Sequence, residues 1–197
     1  MDRAMYRWIN RFADRTHWAH GGLRFYADFG IVLFAILLLA AYIDARQHDD
    51  HAQLAASIWA GASALVALGI GQVIGGAIDR LRPYETMNDV HVLVSRTTDF
   101  AIPSDHATVA GAVAAGLLLT HHRWGRIAAV AAVLMAFTRV YVGAHYPADV
   151  LAGLGLGAVV AAGGHYLIVP SLRRLIDRLA HTGLRPLLSR TAPTSAL

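Results

Sequence analysis

Three short polar clusters interrupt a sequence that is otherwise strongly apolar. The first is Arg80-Leu81-Arg82-Pro83, the second is Pro103-Ser104-Asp105-His106, and the third runs from Thr138 to Asp149. They contain arginines, histidines, a serine and carboxylates, which are costly to keep beside lipid without a purpose. Phosphoryl transfer needs such a set, because it requires cations around the nonbridging oxygens, a nucleophile and a proton donor.

The two histidines of these clusters have different neighbours, which predicts two different roles. His145 stands four residues before Asp149. We therefore expect the carboxylate to hydrogen-bond one ring nitrogen and to leave the other free to attack phosphorus. His106 is then the candidate acid that protonates the leaving oxygen and afterwards activates water. A phosphohistidine at His145 would divide the reaction into two easier steps.

Four residues of the clusters are predicted to bind phosphate: Arg80, Arg82, Ser104 and Arg139. The guanidinium groups supply charge and bidentate contacts, and the serine hydroxyl binds an oxyanion together with neighbouring amides. Pro103 and Pro147 suit the first turn of a helix. We therefore expect two helices to begin beside the clusters and to direct their free backbone N–H groups at the same anion.

Other interpretations of these residues stay open at this point. A metal site built from His106, His145 and Asp149 is chemically possible, although no further carboxylate or histidine has ligand-like spacing with them. Arg80 and Arg82 are also compatible with ordinary residues at a membrane helix end, whose charged groups reach the interface. The catalytic interpretation is favoured only because all three clusters are predicted to meet on one face. We expect the reaction to need no metal ion or other cofactor.

The composition indicates an integral membrane protein. The chain of 197 residues is 56% hydrophobic and has a mean hydropathy of +0.45, above the values typical of soluble domains. All 17 basic residues are arginine and cysteine is absent, which excludes lysine Schiff bases, thiolate nucleophiles and disulfides. The net charge of +4 comes from arginines that flank apolar segments. Their predicted partner is therefore anionic lipid and not nucleic acid.

Five stretches approach the roughly 20 apolar residues that a bilayer core requires. They are residues 25–43, 54–78, 104–120, 127–142 and 148–169, of which the fourth is predicted to be short. We predict an all-α, polytopic transmembrane helical bundle of five to six membrane segments.

Three regions are predicted along the chain. Residues 1–22 carry arginines at every fourth position with aromatic residues between them, which favours an interfacial amphipathic helix over a cleaved signal peptide. Residues 23–170 form the transmembrane domain. Residues 171–197 form a basic tail whose Pro/Ser/Thr end we expect to be disordered.

Counting one crossing for each apolar stretch places all three polar clusters on the same side of the membrane. The opposite side carries eight arginines: Arg46, Arg123, Arg126, Arg173, Arg174, Arg178, Arg185 and Arg190. The positive-inside rule makes that side cytoplasmic and the clusters external, although the arginines of residues 1–22 argue the other way. The Gly153–Gly157 run predicts close helix packing, because it lies in an apolar span and follows no strand of a nucleotide-binding motif.

The combined pattern resembles the three-part signature of the type 2 phosphatidic acid phosphatase superfamily. The matching elements are Arg82-Pro83, Pro103-Ser104-x-His106 and Arg139-x5-His145-x3-Asp149, over about residues 70–155. The resemblance implies metal-independent hydrolysis of lipid phosphates or diphosphates through a phosphohistidine, in a bundle commonly of six spans. Two positions depart from the family pattern, since Gly75 replaces a lysine and Asp105 replaces a glycine. Arg80 is a candidate to replace the missing charge.

The P-S-D-H motif, the short chain and the M-Y-R-W-I-N-R-F opening look like the bacterial undecaprenyl-diphosphatase branch. This branch trims the lipid carrier of cell-wall synthesis on the outer face of the bacterial cytoplasmic membrane. We therefore expect an undecaprenyl or related polyprenyl diphosphate as substrate, with phosphatidylglycerol phosphate or phosphatidate as alternatives. A non-catalytic membrane module or a lipid transporter with a degenerate site is the alternative from a different class, and Gly75 is its only support.

Overall fold

Helices joined by turns and one long loop make up the computed structural model, which describes residues 1–190. The helices are α1 (Asp2–Arg15), α2 (His20–Gln47), α3 (His51–Ile78), α4 (Pro83–Thr86), α5 (Asp105–Leu118), α6 (His122–Tyr141), α7 (Pro147–Leu167), α8 (Val169–Leu179) and α9 (Arg185–Leu188). No strand occurs within residues 1–190, so the predicted all-α class is confirmed. The Pro/Ser/Thr end predicted to be disordered lies outside the described residues.

Four of the helices in this range are long and apolar enough to cross a membrane: α2, α3, α6 and α7. Many of their large outward-facing side chains are apolar, such as Leu65, Val73 and Val130, as expected of a surface in contact with lipid. The chain is thus a multi-pass membrane protein. The sequence predicted that the fourth apolar stretch, which became α6, would be the short one, but α6 has 20 residues. The short apolar helix is α5, with 14 residues.

The contact between α5 and α7 depends on small residues. A side-chain Cβ at Gly157 would collide with the Thr108 carbonyl oxygen, and one at Gly153 would come 2.6 Å from the Ser104 carbonyl oxygen. The predicted role of these glycines in close helix packing is therefore confirmed. Because these glycines have no side chains, the first turn of α5, which carries His106, lies directly against the first half of α7.

The N-terminal helix packs against the rest of the protein along one side. Its Tyr6, Asn10 and Ala13 are buried against the protein, whereas Trp8 and Phe12 are exposed on the other side. α1 packs on α6 and α7. A 3₁₀ turn at His17–Ala19 then leads into α2, which begins before the predicted start of the first apolar stretch.

Residues 169–190 fold back onto the end of the bundle where α2 and α3 meet. Ile176 of α8 is buried in a cluster with Leu54 and Trp59 of α3. His51 at the start of α3 joins the same region, because its Nδ1 lies 2.7 Å from Asp177 and its Nε2 lies 3.0 Å from the Ser189 hydroxyl. The first part of the predicted tail is therefore helical and attached to the transmembrane domain.

Candidate active site

A single small cavity collects residues from all three polar clusters. Its volume is about 130 Å³, comparable to about four water molecules. The lining residues are Arg82, Thr97, Asp99, Phe100, Asp105, His106, Arg139 and His145. Both candidate histidines and two of the candidate phosphate-binding arginines therefore face one small space, although they are far apart in the chain.

The two arginines of the cavity are almost completely buried. Arg82 precedes α4, and its guanidinium donates to the Ala144 carbonyl at 3.2 Å and forms an ion pair with Asp99 at 2.9 Å. Arg139 lies in the last turn of α6 and donates to the Ala27 carbonyl at 3.2 Å. Two buried cations that line one cavity repel each other, so an anion bound between them would relieve that repulsion.

The imidazole of His145 is held as a neutral nucleophile would be. Its Nδ1 lies 2.8 Å from the Ala101 carbonyl oxygen, and its Nε2 lies 3.2 Å from Nη1 of Arg82. A carbonyl only accepts and a guanidinium only donates, so Nδ1 carries the proton and the lone pair of Nε2 is directed at Arg82, which also lines the cavity. Burial, together with the charges of Arg139 and Arg82, lowers the pKa of His145 well below 6.5. The hydrogen bonds and the lowered pKa both favour the neutral ring.

The predicted hydrogen bond between Asp149 and the imidazole is absent from the structure. Oδ2 of Asp149 is 3.9 Å from Nδ1 of His145 and instead accepts the Tyr146 N–H at 2.8 Å. The reason is local, because Asp149 occupies the third position of α7, where an acidic side chain caps the backbone N–H of the N-cap residue. The backbone carbonyl of Ala101 orients the ring in its place.

Two predicted phosphate-binding residues also lie elsewhere than expected. Arg80 pairs with Asp149 and with Asp2, and its guanidinium stacks over the ring of Tyr146 at 4.3 Å. Its charge is thus already balanced outside the cavity. Ser104 is fully buried as the N-cap of α5, and its hydroxyl has no hydrogen-bond partner among the residues described.

One of the two predicted helix N-termini is occupied by carboxylates of the protein itself. α7 begins with Pro147, as expected, but the N–H groups of residues 146 and 148 are bound by the carboxylates of Asp149 and Asp2. The proline predicted to open α5, Pro103, lies before the N-cap instead. The first turn of α5 nevertheless carries His106 to the cavity.

The position of the missing family lysine is filled by a neighbouring side chain. A Cβ at Gly75 would lie 3.0 Å from the ring of Phe100 and 3.1 Å from the Ile102 carbonyl oxygen. Phe100 also lines the cavity, so an aromatic ring stands close to where another charge was expected. Arg80, the candidate to replace this charge, is not among the residues that line the cavity. Within the described chain, Arg82 and Arg139 are the arginines that line the cavity.

The loop between α4 and α5 contributes residues that the sequence patterns did not single out for the site. Thr97 and Asp99 reach the cavity together with Phe100. Burial opposes ionisation of Asp99, but hydrogen bonding with Thr97 and the charge of Arg82 hold its pKa below 3.8. The polar run just before Pro103 was the available signal, since loops often carry functional residues. The spacing of residues in the sequence did not predict that this loop lines the cavity.

Comparison with known proteins finds a matching family and several relatives. Residues 56–173 match the PAP2 superfamily. An undecaprenyl-diphosphatase of Sulfolobus acidocaldarius is 38% identical over 100 residues, which are 50% of this chain and 48% of that relative. The match therefore spans about half the length of that protein. Undecaprenyl-diphosphatase BcrC of Bacillus subtilis is 30% identical over 137 residues, covering 69% of this chain and 68% of the relative.

A solved structure has a similar architecture along most of the chain. It is the crystal structure of a transmembrane PAP2 type phosphatidylglycerolphosphate phosphatase from Bacillus subtilis, with a TM-score of 0.54 and 25% identity. The similarity covers 89% of this chain and 88% of that one. Since the family match spans more than half of the sequence and BcrC aligns along two thirds of both chains, this protein belongs to the PAP2 superfamily.

Proposed function

We propose that this PAP2 membrane phosphatase hydrolyses a polyprenyl diphosphate, namely undecaprenyl diphosphate, to the monophosphate. One observation carries the chemistry: His106, His145, Arg82 and Arg139 line the same cavity in a membrane-embedded helical bundle. The substrate class is supported by relatives named undecaprenyl-diphosphatase. A lipid-embedded bundle suits a substrate whose long chain stays in the bilayer while its phosphates enter a polar cavity.

The first proposed step forms a covalent intermediate. Nε2 of His145 attacks the terminal phosphorus, and the bond from that phosphorus to the bridging oxygen breaks. His106, which enters this step as the imidazolium, donates its proton to the bridging oxygen and becomes neutral, and this oxygen leaves as part of the polyprenyl monophosphate. Arg82 and Arg139 neutralise the charge on the nonbridging oxygens.

The second proposed step regenerates the site. His106 accepts a proton from water, and the water oxygen attacks the phosphorus bound to His145. The phosphorus–nitrogen bond breaks, inorganic phosphate leaves, and both imidazoles return to their starting protonation states. Asp149 serves as a positioning residue in this scheme, because it holds the turn that carries His145 and does not touch the ring.

We also propose that the reaction needs no metal ion, and phosphate release is expected to continue at the same rate in excess EDTA. The Arg82 guanidinium already occupies the space beside Nε2 of His145, where its charge would repel a cation. In residues 1–190, no group of three or more His, Asp or Glu side chains is arranged to hold a metal. A metal-dependent phosphatase assayed in parallel is the control. Inhibition that magnesium or zinc reverses would contradict this prediction.

The cavity is proposed to face the external side of a bacterial cytoplasmic membrane. The other end of the bundle carries the α8 arginines and the basic residues at the starts of α6 and α9. This asymmetry follows the positive-inside rule. The arginines of α1 lie at the cavity end of the bundle and therefore favour the opposite orientation. The charge of one of them, Arg7, is partly balanced by Asp89 at 3.6 Å.

A substrate panel tests the proposed function. Purified protein in detergent is given undecaprenyl diphosphate, phosphatidylglycerol phosphate and phosphatidate at equal concentrations, and phosphate release is measured for each. We expect the highest kcat/KM for undecaprenyl diphosphate. The similarity to a phosphatidylglycerolphosphate phosphatase makes that lipid the second candidate, and a higher kcat/KM for it would replace our proposal. No release from any lipid would favour the non-catalytic alternative.

Asp99→Asn is expected to improve phosphate binding. In the structure without substrate, Asp99 holds Nη2 of Arg82, so a substrate phosphate has to compete with a carboxylate for this guanidinium. Removing that charge should lower both KM and the inhibition constant of inorganic phosphate by roughly two- to tenfold, with kcat little changed, because the pair is partly exposed and therefore weak.

The matched control for this prediction is Asp89→Asn. Asp89 lies on the same loop but pairs with Arg7 on α1, so its neutralisation should leave KM unchanged. A higher KM together with a lower kcat in Asp99→Asn would contradict the prediction. That result would mean that Asp99 mainly holds Arg82 in place.

A further inference from the structure

The inner side of α1 contacts two of the chain segments that contribute residues to the cavity, the α4–α5 loop and the turn before His145. Asn10 forms two hydrogen bonds with the backbone of His91 in the α4–α5 loop. Its side-chain amide donates to the His91 carbonyl at 2.8 Å and accepts from the His91 N–H at 2.9 Å. Tyr6 is fully buried and its hydroxyl lies 3.4 Å from the Gly143 carbonyl, in the turn before His145. α1 therefore contacts both the α4–α5 loop and the turn that precedes His145.

Asp2, at the start of α1, contacts both the first turn of α7 and Arg80. One carboxylate oxygen accepts the Ala148 N–H at 3.0 Å, in the first turn of α7, where a negative charge also interacts favourably with the helix dipole. The other oxygen pairs with Arg80. Arg80 in turn binds Oδ1 of Asp149 at 2.7 Å. Two carboxylates from distant parts of the chain thus share one guanidinium.

This network reaches His145 by two routes. In the first, Asp149 holds the N–H of Tyr146, the residue that follows the nucleophile. In the second, the Arg80 carbonyl accepts the Ala101 N–H at 2.9 Å, and the Ala101 carbonyl accepts the proton on Nδ1 of His145 at 2.8 Å. Ala101, whose carbonyl orients the imidazole, is therefore held through its own N–H by the same residue that Asp2 binds.

We propose that Asp2 is a positioning residue for catalysis, which sets the direction of the His145 imidazole through Arg80. The inference rests on the proposed function, because it assumes His145 as the nucleophile. Asp149 is fully buried and Arg80 is mostly buried, so Arg80 cannot exchange one partner for water without cost. When Asp2 is neutralised, the guanidinium shifts toward its remaining partner, and the Ala101 peptide moves with it.

The test compares Asp2→Asn and Asp2→Glu in the full chain with a C-terminal tag. Asp2→Asn should lower kcat about tenfold, because displacement of a reacting group by a fraction of an ångström has effects of this size. KM should stay within about twofold, since Arg82 and Arg139 keep their contacts. Asp2→Glu restores the charge and should recover most of kcat. Arg3→Gln, an exposed neighbour on α1, is the control and should behave as wild type.

A double-mutant cycle with Arg80 separates positioning from general loss of structure. In an Arg80→Gln background, Asp2→Asn should have little further effect on kcat, because its partner is already gone. A lower melting temperature with unchanged kcat would overturn the inference, and so would additive effects in the cycle. If His145→Ala keeps its activity, the proposed function itself fails. If His145→Ala is inactive and Asp2→Asn is as fast as wild type, only the role of Asp2 fails.

Discussion

His145→Ala is expected to abolish phosphate release from lipid diphosphate, with kcat lowered by at least ~10⁴-fold. The nucleophile is the one group that no other side chain in the cavity replaces. His106 lies on a different helix and is assigned to proton transfer, and the arginines carry no lone pair that can attack. The uncatalysed hydrolysis of phosphate esters is among the slowest reactions known, so little background activity is expected.

Two further variants make the loss interpretable. In His145→Asn, the side-chain amide can replace Nδ1 as donor to the Ala101 carbonyl but offers no nucleophilic nitrogen, so folding should be kept while activity is lost. His17→Ala removes an exposed histidine outside the cavity and should leave the rate unchanged. Substantial activity in both His145 variants would show that another group attacks phosphorus, or that the cavity is not the site.

His106→Ala has the second-largest expected effect, a fall in kcat of about 10²–10⁴-fold with the lipid diphosphate. The residue is proposed to protonate the leaving oxygen, so its importance should depend on how much the leaving group needs a proton. With an aryl phosphate, whose leaving group is a weak base, the first step should be nearly normal. The second step should still be slow, because no base activates water.

A burst experiment separates these two steps. His106→Ala with an aryl phosphate is expected to release about one equivalent of phenolate per enzyme rapidly and then to turn over slowly. Wild type, which hydrolyses the intermediate, should show continuous turnover at a higher rate. Equal losses with both kinds of leaving group and no burst would indicate that His106 acts in binding or packing and not in proton transfer.

Much of the architecture could be predicted from the sequence, because each helix that crosses a lipid bilayer needs an apolar stretch of sufficient length. Apolar stretches of sufficient length gave helices near the predicted bounds, and counting crossings placed Arg82, His106 and His145 at one end. The length of α5 was predicted less well. Its 14 residues are packed against α3, α6 and α7, so protein contacts replace part of the lipid contact that fixes the length of other spans.

The contacts inside the site were less predictable, for identifiable reasons. The spacing from His145 to Asp149 is compatible with a bond to the ring and equally with a helix cap, and the cap formed. The orienting group, the Ala101 carbonyl, is a backbone atom and leaves no signature in residue type. Arg80 is predicted to bind phosphate because it adds charge beside Arg82. Its partner Asp2 is remote in sequence, and nothing in the local pattern indicates that pairing.

Covalent trapping tests the central claim most directly. Wild type and His106→Ala are mixed with substrate labelled in the transferred phosphate, quenched in base, where a phosphoramidate survives, and digested for mass spectrometry. We expect phosphate on Nε2 of His145, more of it in His106→Ala with an aryl phosphate, and none in His145→Ala. Rapid phosphate release by wild type with no label on any histidine, or with label on a different residue, would contradict it.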